Sequence, residues 1–286
     1  MSLPSHHREG DAGQRMLTGA LLLTVTVMIV EVVAGAISGS LALMADAGHM
    51  FTDSLALALS LFAAWVASRP ATMAKTYGYH RTEILAALVN GMMLWLLVIW
   101  VAARAIHRLQ EPSTVHSGPM LIAAMLGLAA NLLSASLLAR GASANLNLRA
   151  ALLHVLSDAL GSCGVIVAAL LIRWRGWVWA DPAVSLLIAF LIGLNSFMLV
   201  QQSVHVLLEG TPAHLELEHL TQAVRAVPGV LEVHDLHAWS LTTGLDAMSG
   251  HVTVARLEDG PAVLERINQV LAERFGIRHT TFQIEA

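Results

Sequence analysis

His49 and Asp53 stand four residues apart in LALMADAGHMFTDSLALALSLFAAWVA, residues 41–67. His154 and Asp158 repeat that spacing in LLHVLSDALGSCGVIVAALLI. A spacing of four puts both members of a pair on one helical face, one turn apart. Each stretch exceeds the ~20 mostly apolar residues that cross a bilayer, and ionisable groups at mid-depth are costly enough to mark function. Two buried carboxylates without cations would each cost several kcal/mol, and a divalent cation removes that cost. Two imidazoles and two carboxylates match the tetrahedral N/O ligand set of Zn2+. Mg2+ and Ca2+ prefer more oxygens, while ligand type leaves Cd2+ and Co2+ open. If the two spans run in opposite directions, His49 lies level with Asp158 and Asp53 with His154, giving a four-cornered site. Asp46, three residues before His49, shares a similar face. It either orients His49 as a hydrogen-bond partner behind the ligand or serves helix packing and capping.

The rest of the chain must hold these two helices together. Of 286 residues, 56% are hydrophobic and 13% charged, with a mean hydropathy of +0.66, which is a membrane-protein composition. Six apolar runs of spanning length cover roughly 16–37, 41–67, 84–107, 118–139, 150–173 and 181–206. Ser38-Gly39-Ser40 reads as a tight hairpin, and Asp181-Pro182 as the cap and first residue of span six. Asn90, Asn131 and Asn195 read as hydrogen-bond glue between helices, and Glu31 as a structural hydrogen bonder. The lone Cys163 excludes a disulfide framework or a cysteine zinc site. The polar segment 1–15 lacks a signal-peptide core, so the first run is read as a retained span. Its His6 and His7 are read as part of a disordered end.

Six spans place both termini on one side. With termini inside, the inner flanks carry Arg8, Arg15, Arg69, Lys75, Arg81, Arg140 and Arg149, and the outer ones Arg104, Arg108, Arg173 and Arg175. That bias favours cytoplasmic termini. Trp174, Trp177 and Trp179 suit an interfacial belt at the outer end of span five. Compactness and the missing targeting peptide point to a bacterial-type cell (inner) membrane, with multi-pass topology.

From residue 209 the texture becomes soluble. Thr211-Pro212 opens a helix, read over Leu215–Val227, and Pro228-Gly229 turns the chain. Two strands follow, VLEVHDLHAWSL and AMSGHVTVA, then a helix over Pro261–Phe275 and a last strand, HTTFQIE. This α-β-β-α-β order suits a small α+β sandwich with helices on one face, which gains from pairing with a second copy. The domains are thus 1–15, a polar segment; 16–208, the six-helix membrane domain; and 209–286, the soluble domain. Residues 207–286 hold 5 Lys/Arg against 11 Asp/Glu, which argues against nucleic acid as a partner. Period-two alternation sets His234 and His237 on opposite faces. His279, Thr281, Gln283 and Glu285 share one face. His237, His251 and Glu285 converge on one ion in this reading, with His279 or His234 completing it. His205, His214 and His219 read as solvated.

ADAGHMFTDSLAL, YGYHRTEILAALVNG, LRAALLHVLSDALGS and HDLHAWSLT resemble the cation diffusion facilitator family of divalent-metal/proton antiporters, over nearly the whole chain. The likeness is to zinc-type members, whose two metal-bearing helices both carry His-x-x-x-Asp. The resemblance implies six spans, a cytosolic ferredoxin-like domain that dimerises, and zinc bound by that domain's strands. It implies Zn2+ and H+ as substrates and a homodimer as the assembly. Some relatives hold a further metal in the loop between spans two and three. Tyr79 stands there where those relatives have His, with His80 beside it, so a third site is not expected. The His-rich loop of other relatives is absent from ARGASANLNLR.

Two other classes compete. A membrane metalloenzyme needs a motif such as H-E-x-x-H or an open coordination position, and no H-E-x-x-H occurs. A metal sensor that does not transport leaves ligands at mid-membrane unexplained. The reading adopted is a secondary transporter, not an enzyme, exchanging cytosolic Zn2+ for external H+.

Overall fold

In the computed structural model, residues 5–139 and 146–286 are described, with side chains over 19, 21–139 and 148–286. His6, His7, Arg8, Arg15 and Arg140 fall outside the described side chains. Eight helices and three strands follow in order: α1 (Ser5–Ser38), α2 (Leu41–Ala67), α3 (Arg81–Gln110), α4 (Ser117–Ala139), α5 (Leu146–Arg175), α6 (Ala180–Leu207), α7 (Leu217–Arg225), β1 (Val230–Thr242), β2 (Leu245–Val254), α8 (Gly260–Phe275) and β3 (His279–Glu285). The first six contain stretches long and apolar enough to span a membrane. Large side chains such as Leu61, Leu96, Leu160 and Phe190 stand exposed on them, as a lipid-facing surface requires. This is a six-span helical protein with a small α+β domain, a multi-pass membrane protein.

Two compact units divide the chain, residues 1–57 with 90–197 and residues 58–89 with 198–286. In the first, α4 packs along α5 and α1. Its core interleaves small and large residues: Ala42, Leu43 and Ala45 of α2, Leu94 and Val101 of α3, Ala123 and Ala124 of α4, Val165, Ala168 and Ala169 of α5, and Ile188, Ala189 and Ile192 of α6. The small residues let the helices approach closely, the usual packing solution in lipid.

Asp181 does something the sequence did not suggest. Helix α6 starts at Ala180, so Asp181 is inside its first turn, and the side chain caps α2 instead. Its carboxylate accepts from the backbone N–H of Leu41 (2.8 Å) and Ala42 (3.2 Å) and from Ser40 Oγ (2.6 Å). These are orphan donors at a helix N-terminus, and the negative charge suits that end of the dipole. Arg108 of α3 donates 2.6 Å to the Gly39 carbonyl and lies 3.3 Å from Asp181 Oδ2. Gly39 itself turns with φ +68°, which only glycine adopts without strain.

In the second unit the strand order is β1-β2-β3, antiparallel between β1 and β2 and parallel between β2 and β3. Met248, Val252 and Val254 of β2 pack against Leu220 and Val224 of α7 and Val263, Ile267 and Leu271 of α8. Alternation therefore sends Ser249, His251 and Thr253 to the opposite face. Helix α7 starts at Leu217, with Glu216 at the N-cap position and no side-chain cap, rather than at Thr211-Pro212. Within this unit Arg81 pairs with Glu209 at 2.8 Å, and Thr242 donates to Glu83 at 2.6 Å.

The strand β1 departs from strict alternation. His234 pairs with His251 but His237 with Ser249, three residues against two, so one extra residue bulges out. Asp235 takes it up with φ +51°. The bulge brings His237 to the same face as His234. The opposite-face expectation is corrected: period two holds only where the ladder is unbroken.

Candidate metal centres

The first centre lies wholly in the first unit. His49 and Asp53 project from α2 and His154 and Asp158 from α5, each pair one turn apart. Asp53 Oδ2 is 3.6 Å from His49 Nε2 and 3.4 Å from His154 Nε2, and His154 Nε2 is 3.7 Å from Asp158 Oδ2. The two imidazoles meet edge to face, with centroids 6.3 Å apart. The four thus form a chain of neighbours that crosses between helices at Asp53 and His154, the level pairing anticipated from antiparallel spans. The other expected corner is open, since no ion pair joins His49 to Asp158 among the described residues.

These spacings are informative because none of the three closes a hydrogen bond among the described residues. Asp53 Oδ2 and His49 Nδ1 are both buried without a hydrogen-bond partner among the described residues. Ligands held at about 2.0–2.2 Å around one tetrahedral ion stand about 3.3–3.6 Å apart, close to the three edges observed. The Asp158 side chain is only 5% exposed and that of His154 is 47%, so the constellation has a buried and an open end.

Asp46 is buried, and its Oδ1 lies where a Cβ on Gly161 of α5 would approach to 3.3 Å. Neither a hydrogen bond nor an ion pair ties it to His49 among the described residues. Of the two roles left open for Asp46, the geometry favours helix packing over orienting His49.

The second centre is on the open face of the C-terminal sheet. His234, His251 and Glu285 each offer a ligand atom, all within 4.8 Å of one another. His251 Nδ1 is 2.6 Å from Glu285 Oε1, and His234 Nε2 is 3.5 Å from Glu285 Oε2. The trio therefore includes His234 where the sequence reading put His237 first. His237 instead contacts Asp235, Nε2 to Oδ1 at 3.0 Å, and Asp235 Oδ2 lies 3.9 Å from His251 Nε2. Asp235 is thus a neighbour of this centre that sequence reasoning missed, because only the bulge turns it there. His279 is drawn away from the trio, with its ring against Tyr77 at 5.4 Å. His80 lines a separate cavity of about 360 Å³ with Lys75, Tyr77, Tyr79 and Arg81. The remaining tail histidines have partners: His205 the Thr211 carbonyl, His214 the buried Asp246, and His219 Glu216.

His251's hydrogen bond is the main reason the Glu285 carboxyl sits below the usual carboxylate range, with His251 and His234 charge and a Gln283 hydrogen bond adding to it. A depressed carboxylate stabilises the fold above its ordinary value and loses that contribution as pH falls through the folded one. Glu285→Gln is expected to flatten the acid limb of metal-free stability in that window, read by unfolding at graded pH. Glu285→Ala is expected to remove one bound Zn2+ per chain, counted by metal analysis after dialysis, while binding at the α2/α5 candidate centre stays.

Residues 17–208 match the family described as the cation efflux transmembrane domain, and 212–286 that of the cation efflux protein cytoplasmic domain. The chain belongs to the cation diffusion facilitator (cation efflux) family. It is similar to the zinc transporter ZitB of Escherichia coli, 43% identical over 98% of this chain and 90% of that one. The metal cation efflux system protein CzcD of Cupriavidus metallidurans is 42% identical over 98% and 89%. The cadmium, cobalt and zinc/H(+)-K(+) antiporter of Bacillus velezensis is 39% identical over 98% and 91%. Among solved structures, the metal-bound C-terminal domain of the Cupriavidus CzcD transporter matches at 36% identity, covering 25% of this chain and all of that one, with a TM-score of 0.24. This cation efflux protein is accordingly a zinc-type metal transporter of the family rather than an enzyme.

Proposed function

We propose that the protein exports Zn2+ from the cytosol in exchange for external H+, through His49, Asp53, His154 and Asp158. The observation that carries this reading is the cross-helix edge between Asp53 and His154, with ligand-like spacing and no hydrogen bond. Imidazole and carboxylate bind metal only when deprotonated, so cation entry expels protons and proton entry expels the cation. Imidazole is the side chain whose ordinary titration is closest to neutral pH. A cytosol slightly alkaline to the outside then drives metal outward. Because each helix carries half of the ligands, relative movement of α2 and α5 suffices to make or break the site, as alternating access requires. Closure would bring His49 and Asp158 together. The named substrates of the relatives support Zn2+ first, with Cd2+ and Co2+ accepted by the same donors.

The protein sits in this reading in the cell (inner) membrane with both termini cytoplasmic. Residues 16–208 form the membrane domain and 209–286 a cytosolic domain that binds zinc at His234, His251 and Glu285 and pairs two copies. The test is purified protein in liposomes with dyes for Zn2+ and pH. A pH gradient alone is expected to drive Zn2+ against opposite proton movement. Absence of zinc flux under every gradient would sink the proposal.

A further inference from the structure

Glu31 was expected to be a structural hydrogen bonder, but among the described residues no hydrogen bond reaches its carboxyl. It lies on α1, 1% exposed, and its Oε2 is buried without a hydrogen-bond partner among the described residues. Ser162 of α5 is also 1% exposed, and its Oγ is equally without a partner. Both look into one notch, kept open by Gly127 of α4. A Cβ there would come within 2.6 Å of Glu31 Oε1 and 3.4 Å of Ser162 Oγ. Any side chain at 127 would evict the carboxyl.

The charged groups that act on Glu31 all have one sign. Asp46 of α2 and Asp158 of α5 are the ionisable groups that act on Glu31, and α4 contributes none. Among the described residues, no ion pair joins Glu31 to a cation, and no hydrogen bond or ion pair joins it to His49, Asp53, His154 or Asp158. An ionised carboxylate so placed is uncompensated. The ligand that fits a lone carboxyl and a hydroxyl in a notch of this size is a proton.

We propose that Glu31, facing Ser162 across the notch at Gly127, is a proton-binding site inside the helix bundle that is coupled to the metal centre. With the centre empty, Glu31 holds its proton. Arrival of a divalent cation brings two positive charges to the Asp158 side of the bundle, and the Glu31 O–H bond gives up its proton to water. Departure of the cation reverses the step. The carboxyl thereby adds a proton to those exchanged by the ligands themselves, and the inference rests on the exchange reading above.

The test counts protons. Glu31→Gln keeps the shape and a hydrogen-bonding group but removes the exchangeable proton. In lightly buffered detergent solution with a pH dye, Zn2+ is added to wild type and variant, and bound zinc is measured in the same samples. The expected result is unchanged zinc binding with about one proton fewer released per cation at the transport centre. In liposomes, the proton-to-zinc flux ratio falls correspondingly. Equal proton release and an equal flux ratio would overturn the inference. If Glu31→Gln does not fold, Gly127→Ala, which fills the notch, is expected to lose the same proton, and unchanged release there overturns it as well. Wild type without zinc flux would instead refute the exchange reading, so the two failures are distinguishable.

Discussion

Asp158→Ala is expected to lower zinc flux in liposomes at least about 100-fold, because losing even an outer partner of a metal ligand costs about 10–100-fold in affinity or activity. Asp158 is the most buried of the four side chains at the centre and supplies one of its two negative charges. Without it the site offers two neutral imidazoles and one carboxylate to a doubly charged ion. The variant is expected to stay folded, since removing a buried carboxylate that has no permanent cation partner costs little stability. Zinc held by His234, His251 and Glu285 is expected to remain, which separates loss of transport from loss of the protein. Flux that survives in a folded Asp158→Ala protein would mean the ion travels elsewhere.

The largest expected effect on stability lies at the other conspicuous carboxylate. Asp181→Ala leaves the first-turn amides of α2, the Ser40 hydroxyl and part of the Arg108 guanidinium without their acceptor. Removing one partner of a buried charge pair typically costs about 3–5 kcal/mol. That loss is expected as a fall in the midpoint of denaturant unfolding in detergent, with Asp181→Asn, which keeps one acceptor oxygen, in between. A midpoint unchanged within about 0.5 kcal/mol would show that water replaces the network. The placement matters for function, because α2 carries His49 and Asp53 about two and three turns below this cap.

The pattern of polar residues in apolar runs made the spans legible, and it pointed to the candidate centre between α2 and α5. Helix α2 runs over the residues expected, 41–67, and β3 is the HTTFQIE strand. His-x-x-x-Asp is a local signal, since one helical turn converts spacing into a shared face. What stayed hidden depends on distant partners or on a broken period. Asp181 looked like a cap for its own helix, yet its partners lie about 140 residues away, and no local rule reaches them. The bulge at Asp235 puts His234 and His237 on one face where alternation separates them, because alternation counts residues and the extra one was silent. Glu31 was visible as a lone carboxylate, but its missing partner needed Gly127 and Ser162 from two other helices.

The central claim is that two imidazoles and two carboxylates of α2 and α5 hold one cation. It is tested most directly by zinc X-ray absorption on the full chain carrying His234→Ala and Glu285→Ala, which disable the candidate C-terminal centre. The account predicts one Zn2+ per chain with four nitrogen and oxygen neighbours at about 2.0–2.2 Å, including imidazole scattering from two histidines that is lost when His49 and His154 are replaced. A shell of six oxygens, or an imidazole signature untouched by those replacements, would contradict it.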